Sequence, residues 1–252
     1  HIGLPISLLR AEKNDDFIVL EMGMSDLGEI DLLAEISKPD YGIITNIGDS
    51  HLEFLKTREN VFKAKSEIVP HVKDKLFINY DDQYLQKLDG VKISIINDKA
   101  DYYAKNIDLI GEGTTFILND KANLTTNLIG EHNILNLLFG LALCKEFGIG
   151  EEELSNEIKN IKLTDMRFQK IEFENIIYIN DAYNASPLSM EKAILTFSEI
   201  YNDRYKIVVL GDMLELGEKK FEFHEDLEKL LRNTKQDEIL LYGPLMKSLY
   251  EK

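Results

Sequence analysis

The sequence predicts an α/β protein in two parts, a mostly parallel sheet carrying an antiparallel meander and then a second α/β domain. Three observations support this. Apolar runs of β type alternate with helical periodicity through the first 100 residues, as parallel strands joined by crossover helices require. Turns between about 101 and 129 are too short for crossover helices. From about 175 onward, IIYIND, KIVVLGD and EILLYG recur at the roughly 30-residue spacing of βαβ units.

Taken in order, DDFIVLEMG reads as a short buried strand ending at Glu21. Ile30, Leu33, Ala34 and Ser37 share one helical face, and Pro39 stops that helix. Residues 41–47 form the next strand and break off at Asn46, Gly48, Asp49, Ser50 and His51. Val61, Ala64 and Ile68 place a helix over 58–69, which Pro70 ends. KLFINY and KISIIN are two further strands. The meander follows, with turns at Gly-Glu-Gly and Asn-Asp-Lys. EHNILNLLFGLALCKEFG is an apolar helix closed by Gly148, and GEEELSNEIKNI is an amphipathic one. The boundary between the parts is expected between Phe173 and Ile176, giving domains 1–174 and 175–252.

Composition narrows the function. At 252 residues, 44% hydrophobic and 29% charged, the chain has a globular profile. No apolar run reaches the ~18 to 20 residues of a membrane helix, and the first ten residues lack signal-peptide order. A cytoplasmic protein without membrane insertion is expected. The formal charge of -16 disfavours a nucleic-acid partner, whose phosphates call for a basic surface. The single cysteine, Cys144, excludes an internal disulfide and a cysteine zinc site, and is expected to be a small buried thiol.

In open parallel sheets ligands bind beyond the carboxyl ends of the strands. Those ends here are Glu21-Met22-Gly23, Asn46 to His51, NDAYNASP, GDMLELG and YGP. Glu21 and His51 are suitable ligands for a divalent cation, and equally ordinary as a helix cap and a packed imidazole. No G-x-x-x-x-G-K-[ST] phosphate loop occurs; GEGTTF lacks the lysine.

In order, EMGMSDLGEIDLLAEISKPDYGIITNIGDSHLEFLKTRENVFKAKSEI, GEHNILN, MRFQ, NDAYNASPLSM and VVLGDMLELGE resemble the Mur ligases over nearly the whole chain. DAYNASP with GDMLELG points to the branch that joins D-alanyl-D-alanine to UDP-N-acetylmuramoyl-tripeptide in peptidoglycan synthesis. The resemblance implies a central ATPase domain without its first strand and P-loop, then part of a Rossmann-like domain. A stretch of this kind is expected to be inactive alone.

It further implies ATP and Mg²⁺ as cofactors, with Glu21, His51 and a carbamylated Lys65 as metal ligands and His51 and Lys65 in the catalytic set. Lys63 is the rival for the carbamate. Asn133, with Asn136 beside it in the motif, matches a residue contacting adenine. Arg167 matches a nucleotide contact, although Met166 stands where glycine is commoner. Asp181 matches a ribose contact, with Tyr183 and Asn184 beside it. GDMLELG is expected to shape the dipeptide side of the site. Two alternatives stay open: a ligase of the same superfamily with another acceptor, and a non-catalytic protein that kept the scaffold.

Overall fold

The computed structural model describes residues 2–110 and 113–252, and the chain divides into two compact units after Tyr103. The first unit opens with helix α1 (Gly3–Leu9), which sequence reasoning left unassigned. Residues 17–24 then carry neither helix nor strand, and Phe17, Ile18 and Val19 are exposed. The buried strand expected before Glu21 is therefore absent. Apolar β-type composition is not enough, because a strand also needs a neighbour for its backbone groups, and the first ladder of the unit belongs to a later segment.

Helix α2 (Glu29–Ser37) starts at Gly28, whose φ of 85° suits glycine. Glu67 accepts the Gly28 and Asp31 amides at 2.7 and 3.3 Å, satisfying donors that a helix start leaves open. Strand β1 (Tyr41–Ile44) is shorter than expected. The short helix α3 (Leu52–Leu55) and helix α4 (Arg58–Ser66) follow. Thr57 caps α4 by accepting the Asn60 amide at 3.2 Å, and Pro70 lies in a 3-10 turn just beyond it.

Strands β2 (Lys75–Asn79) and β3 (Val91–Ser94) complete a parallel set with β1, in the register Ile43↔Phe77 and Phe77↔Val91. Strand β4 (Tyr102–Ile110) begins parallel to β3 at Ile93↔Tyr102. Phe77, Ile78 and Ile93 are fully buried, so β2 is covered on both faces, which is why it reads as a continuous apolar run. Each such side chain contributes about 2 kcal/mol.

In the second unit β4 runs antiparallel to β5 (Gly113–Leu118), and β5 to β6 (Ala122–Thr126), which is the expected meander. Asn119 and Asp120 take positive φ in the β5–β6 turn, as Asn and Asp tolerate. Of the other expected turn, Gly111 and Glu112 lie outside the described residues. A Cβ on Gly113 would lie 2.3 Å from the Thr126 carbonyl oxygen, so only glycine fits there.

Helix α5 (Glu131–Glu146) ends at Gly148, φ 76°, where the Gly148 and Ile149 amides reach back to Lys145 and Cys144. Cys144 is half-buried rather than buried, and its burial pushes the thiol pKa up. Helix α6 (Glu151–Glu157) follows.

Strands β7 (Gln169–Phe173) and β8 (Ile176–Asn180) form an antiparallel hairpin, and Phe173 pairs with Ile176 across its turn. Sequence periodicity found β8 but assigned it to a parallel βαβ run. Its ladder partner is instead β7, which a two-residue connection delivers locally, at little loop-closure cost. Helix α7 (Pro187–Glu199) has a capping box between Ser186 and Ser189, with proline in its first turn. Strand β9 (Ile207–Gly211), helices α8 (Lys220–Glu225) and α9 (Leu227–Asn233), strand β10 (Glu238–Tyr242) and helix α10 (Lys247–Tyr250) complete the chain. β9 and β10 are parallel, as expected. Met190, Ile194, Leu210, Met213, Leu227 and Met246 form their core. Among the described residues no helix is long and apolar enough to cross a membrane.

Candidate functional site

In the first unit the segment after β1 is held from three directions. The Lys65 ammonium on α4 donates to the Asn46 carbonyl at 2.8 Å. The Ile47 amide donates to Asp82 Oδ2 at 2.7 Å, while Asp82 Oδ1 accepts the Tyr84 amide at 2.9 Å. Asp49, with a side chain only 8% exposed, is met by Arg58 through Nε at 2.7 Å and through a second guanidinium nitrogen. That bond is the main reason the Arg58 pKa lies above its ordinary value. The paired contact fixes the turn that delivers His51, φ 63°, to the start of α3.

These contacts distinguish the two lysines. Residues two apart on a helix lie about 200° apart around its axis. Lys65 accordingly faces the Asn46–His51 turn and is half-buried, whereas Lys63 is exposed. Burial lowers the Lys65 pKa against an opposing pull from Asp82, so less free energy is needed to form the neutral amine. Glu21 is exposed on a segment with no regular structure. Among the described residues no three His, Cys, Asp or Glu side chains gather as a metal cage. The resemblance implies a carboxylate, an imidazole and a lysine as the donors. They suit a cation that keeps water and phosphate in most of its positions, provided the lysine is not an ammonium.

The second unit gathers another group. Asp181, at the end of β8, accepts the Phe168 amide at 2.8 Å. Burial raises its carboxyl pKa, with the Phe168 amide and then Arg167 opposing. The Arg167 guanidinium stacks 3.9 Å from the centre of the Tyr183 ring, and the Tyr183 amide donates to the Met166 carbonyl. Met166 and Phe168 have φ of 59° and 51°, left-handed values that glycine adopts freely and other residues reach at a cost of about 1 kcal/mol or more. The position before Arg167 thus keeps a backbone conformation that favours glycine although it carries methionine. Asn184 is exposed, and its Oδ1 accepts the Ala185 amide at 2.9 Å. Asn133, on the first turn of α5, is buried and donates to the Ile129 carbonyl at 2.8 Å, while Asn136 is exposed. A cavity of about 590 Å³ is lined mostly by apolar side chains of β8, α7 and β9, Ile179, Ile194 and Val208 among them, with Asp181, Asn184, Asp212 and Leu214 also on its wall.

Sequence reasoning missed Asp82, the Asp49–Arg58 pair and Phe168. A carboxylate just past a strand, as in INYDD, was a signal for Asp82; nothing local marked Arg58 or Phe168.

His132 stands edge-on to Phe168, ring centres 6.1 Å apart. Its Nδ1 is buried without a hydrogen-bond partner, and burial, then Lys192, lowers its pKa from 6.5 to about 4. Between those two values the unfolded chain binds more protons, so stability falls as pH drops from 6.5 towards 4 and changes no further from this cause outside that window. The full shift corresponds to about 3 kcal/mol. Urea midpoints should show that loss in the native sequence and a flatter profile in His132→Phe; equal profiles would count against a buried neutral His132.

Residues 1–144 match the Mur ligase middle domain and residues 166–252 the Mur ligase glutamate ligase domain. The UDP-N-acetylmuramoyl-tripeptide--D-alanyl-D-alanine ligase of Bacillus subtilis is 37% identical over 251 residues, covering 97% of this chain and 55% of that protein. The Escherichia coli ligase of the same name is 28% identical over 96% of this chain and 56% of that protein. MurF ligase from Thermotoga maritima, solved in complex with ADP, has a TM-score of 0.87 and 27% identity over 98% of this chain and 59% of its own. MurF from Acinetobacter baumannii has a TM-score of 0.89 at 26% identity, over 99% of this chain and 56% of its own. The chain thus spans about half the length of the relatives it matches.

Proposed function

Because the chain belongs to the Mur ligase family, we propose that it carries the nucleotide-binding and ligase parts of a cytoplasmic enzyme that joins D-alanyl-D-alanine to UDP-N-acetylmuramoyl-tripeptide at the expense of ATP. The observation that carries this reading is the Lys65 contact with Asn46. It puts one lysine of α4, and not its neighbour, against the turn that ends in His51.

The Lys65 ammonium can lose one proton to give a neutral amine, which adds CO₂ with formation of an N–C bond and loss of a second proton, so that a cation becomes a carboxylate. With Glu21 and His51 it would then hold Mg²⁺, which supplies charge neutralisation at the phosphates. The tripeptide carboxylate attacks the γ-phosphorus, the bond to ADP breaks, and an acyl phosphate results. The dipeptide amine then attacks the acyl carbon, inorganic phosphate leaves, and the nitrogen loses its proton as the amide forms. Such a reaction asks the protein mainly for positioning and electrostatics.

Asn133, Arg167, Asp181 and Asn184 are assigned to the nucleotide. Arg167 stacked on Tyr183 offers a flat cation, and Asp181, already bound to the Phe168 amide, offers a second oxygen to a ribose hydroxyl. The reading assigns residues 1–174 to the ATP-binding part and 175–252 to the ligase part. The two family matches, to residue 144 and from residue 166, support a two-part division.

The test uses the whole protein with ATP, Mg²⁺ and UDP-N-acetylmuramoyl-tripeptide. Phosphate release is expected to depend on D-alanyl-D-alanine, with the matching adduct seen by mass spectrometry. Equal turnover with unrelated amines would reassign it within the superfamily, and no ATP turnover would favour a retained scaffold.

A further inference from the structure

We infer that His224 is a positioning residue that latches the loop 212–215 in the orientation that receives the amine-bearing dipeptide; this rests on the ligase reading above. His224, on α8, is fully buried. Its Nε2 accepts the Met213 amide at 2.9 Å, and its Nδ1 meets the Lys220 carbonyl. An amide N–H can only donate and a carbonyl can only accept. The imidazole is therefore held as the tautomer with hydrogen on Nδ1 and a bare Nε2. A phenylalanine or leucine would fill the same volume without the desolvation cost of a buried polar ring. What the imidazole adds is a directed bond to one loop amide.

The adjacent residue is clamped from the other side. Asp212 accepts the Leu245 and Met246 amides at 3.0 and 2.8 Å. A Cβ on Gly243 would lie within 2.5 Å of that carboxylate, so the glycine gives Asp212 its space. Met213 is 0% and Leu216 2% exposed, and both anchor in the core, while Leu214 between them is 69% exposed. Glu215, at φ 60°, turns the chain back towards the core.

Leu214 borders the cavity that also takes in Asp181, Asn184 and Ala185. The loop therefore presents one apolar side chain at the rim of a site whose other edge carries the residues assigned to nucleotide. A short dipeptide with small apolar side chains suits that surface, and rotation of the Met213 peptide would swing Leu214 away from it.

The experiment compares His224→Phe, which keeps a ring and loses the acceptor, with His224→Gln, whose amide can both accept and donate. In the whole protein His224→Phe is expected to raise KM for D-alanyl-D-alanine about tenfold, the equivalent of one lost hydrogen bond, and to leave KM for ATP within about twofold. His224→Gln should recover most of the loss. Amide exchange at Met213 should quicken about tenfold in the Phe variant only.

Equal effects of the two substitutions, or an equal rise in KM for ATP, would reduce His224 to a packing residue and overturn the proposal. If the unsubstituted enzyme does not use the dipeptide, it is the ligase reading that fails, and unchanged Met213 exchange in His224→Phe would then overturn the latch itself. Should His224→Phe not fold, Leu214→Ala alters only an exposed side chain; it should raise the dipeptide KM about threefold, and an unchanged value overturns the proposal.

Discussion

Lys65→Ala in the whole protein is expected to lower ligation by about 10³-fold, the scale of removing a group that organises charge in a phosphoryl-transfer site. As an ammonium, Lys65 would oppose a cation held by His51 and Glu21. Two unit charges 4 Å apart repel by roughly 4 kcal/mol at an effective dielectric of 20, and a divalent ion doubles the term. A carbamate reverses its sign. The half-buried setting of Lys65, which pulls its pKa below that of an ordinary lysine, favours the neutral amine that CO₂ requires. Short carboxylates such as acetate should therefore restore part of the Lys65→Ala activity, and Lys63→Ala, an exposed change on the far side of α4, should matter little. Full activity in Lys65→Ala, or a severe loss confined to Lys63→Ala, would rule out the carbamate on Lys65.

Arg58→Met should cost about 2 kcal/mol of stability and about 10²-fold in turnover. Asp49 is 8% exposed and takes both of its strong bonds from Arg58; without them a buried carboxylate is left uncompensated, which is the expensive way to break an ion pair. Arg58 itself is 46% exposed, so water screens the pair, and the loss is set below that of a fully buried one. The larger effect on turnover arises because Asp49 lies two residues before His51, and a displacement of about 1 Å in a catalytic group can cost 10²-fold. Asp49→Leu combined with Arg58→Met should recover stability but not turnover. Urea midpoints and kcat read the two effects separately. An unaltered midpoint with turnover within twofold of the parent would show that the pair does not set the His51 turn.

Local sequence carried most of the regular structure. Thr57, Ser186 with Pro187, and Gly148 state helix ends in their own chemistry, and Asn119-Asp120 states a turn, because each acts through backbone a few residues away. The run FIVL before Glu21 shows where that legibility stops. Its composition is that of a strand, yet residues 17–24 form none, since pairing depends on groups supplied from elsewhere. Strand β8 makes the same point: its apolar run was legible, but its antiparallel partner β7 was not.

Neighbouring residues along the chain set the α/β class, the meander and the order of the motifs, while Glu21, His51, Lys65, Asn133, Arg167, Asp181 and Asn184 were singled out by the family resemblance that those motifs carry. Periodicity, capping and motif spacing are all properties of neighbours along the chain. The folded chain brings Lys65 rather than Lys63 to Asn46. Only the tertiary structure revealed that Asp82 and Arg58 hold the turn before His51, that Phe168 ties Asp181 to His132, and that a buried His224 holds the Met213 amide. Each of these depends on which groups meet 9 to 36 positions apart in the chain, or on which face of a helix turns inward. Those outcomes follow from packing, and packing belongs to the folded chain as a whole.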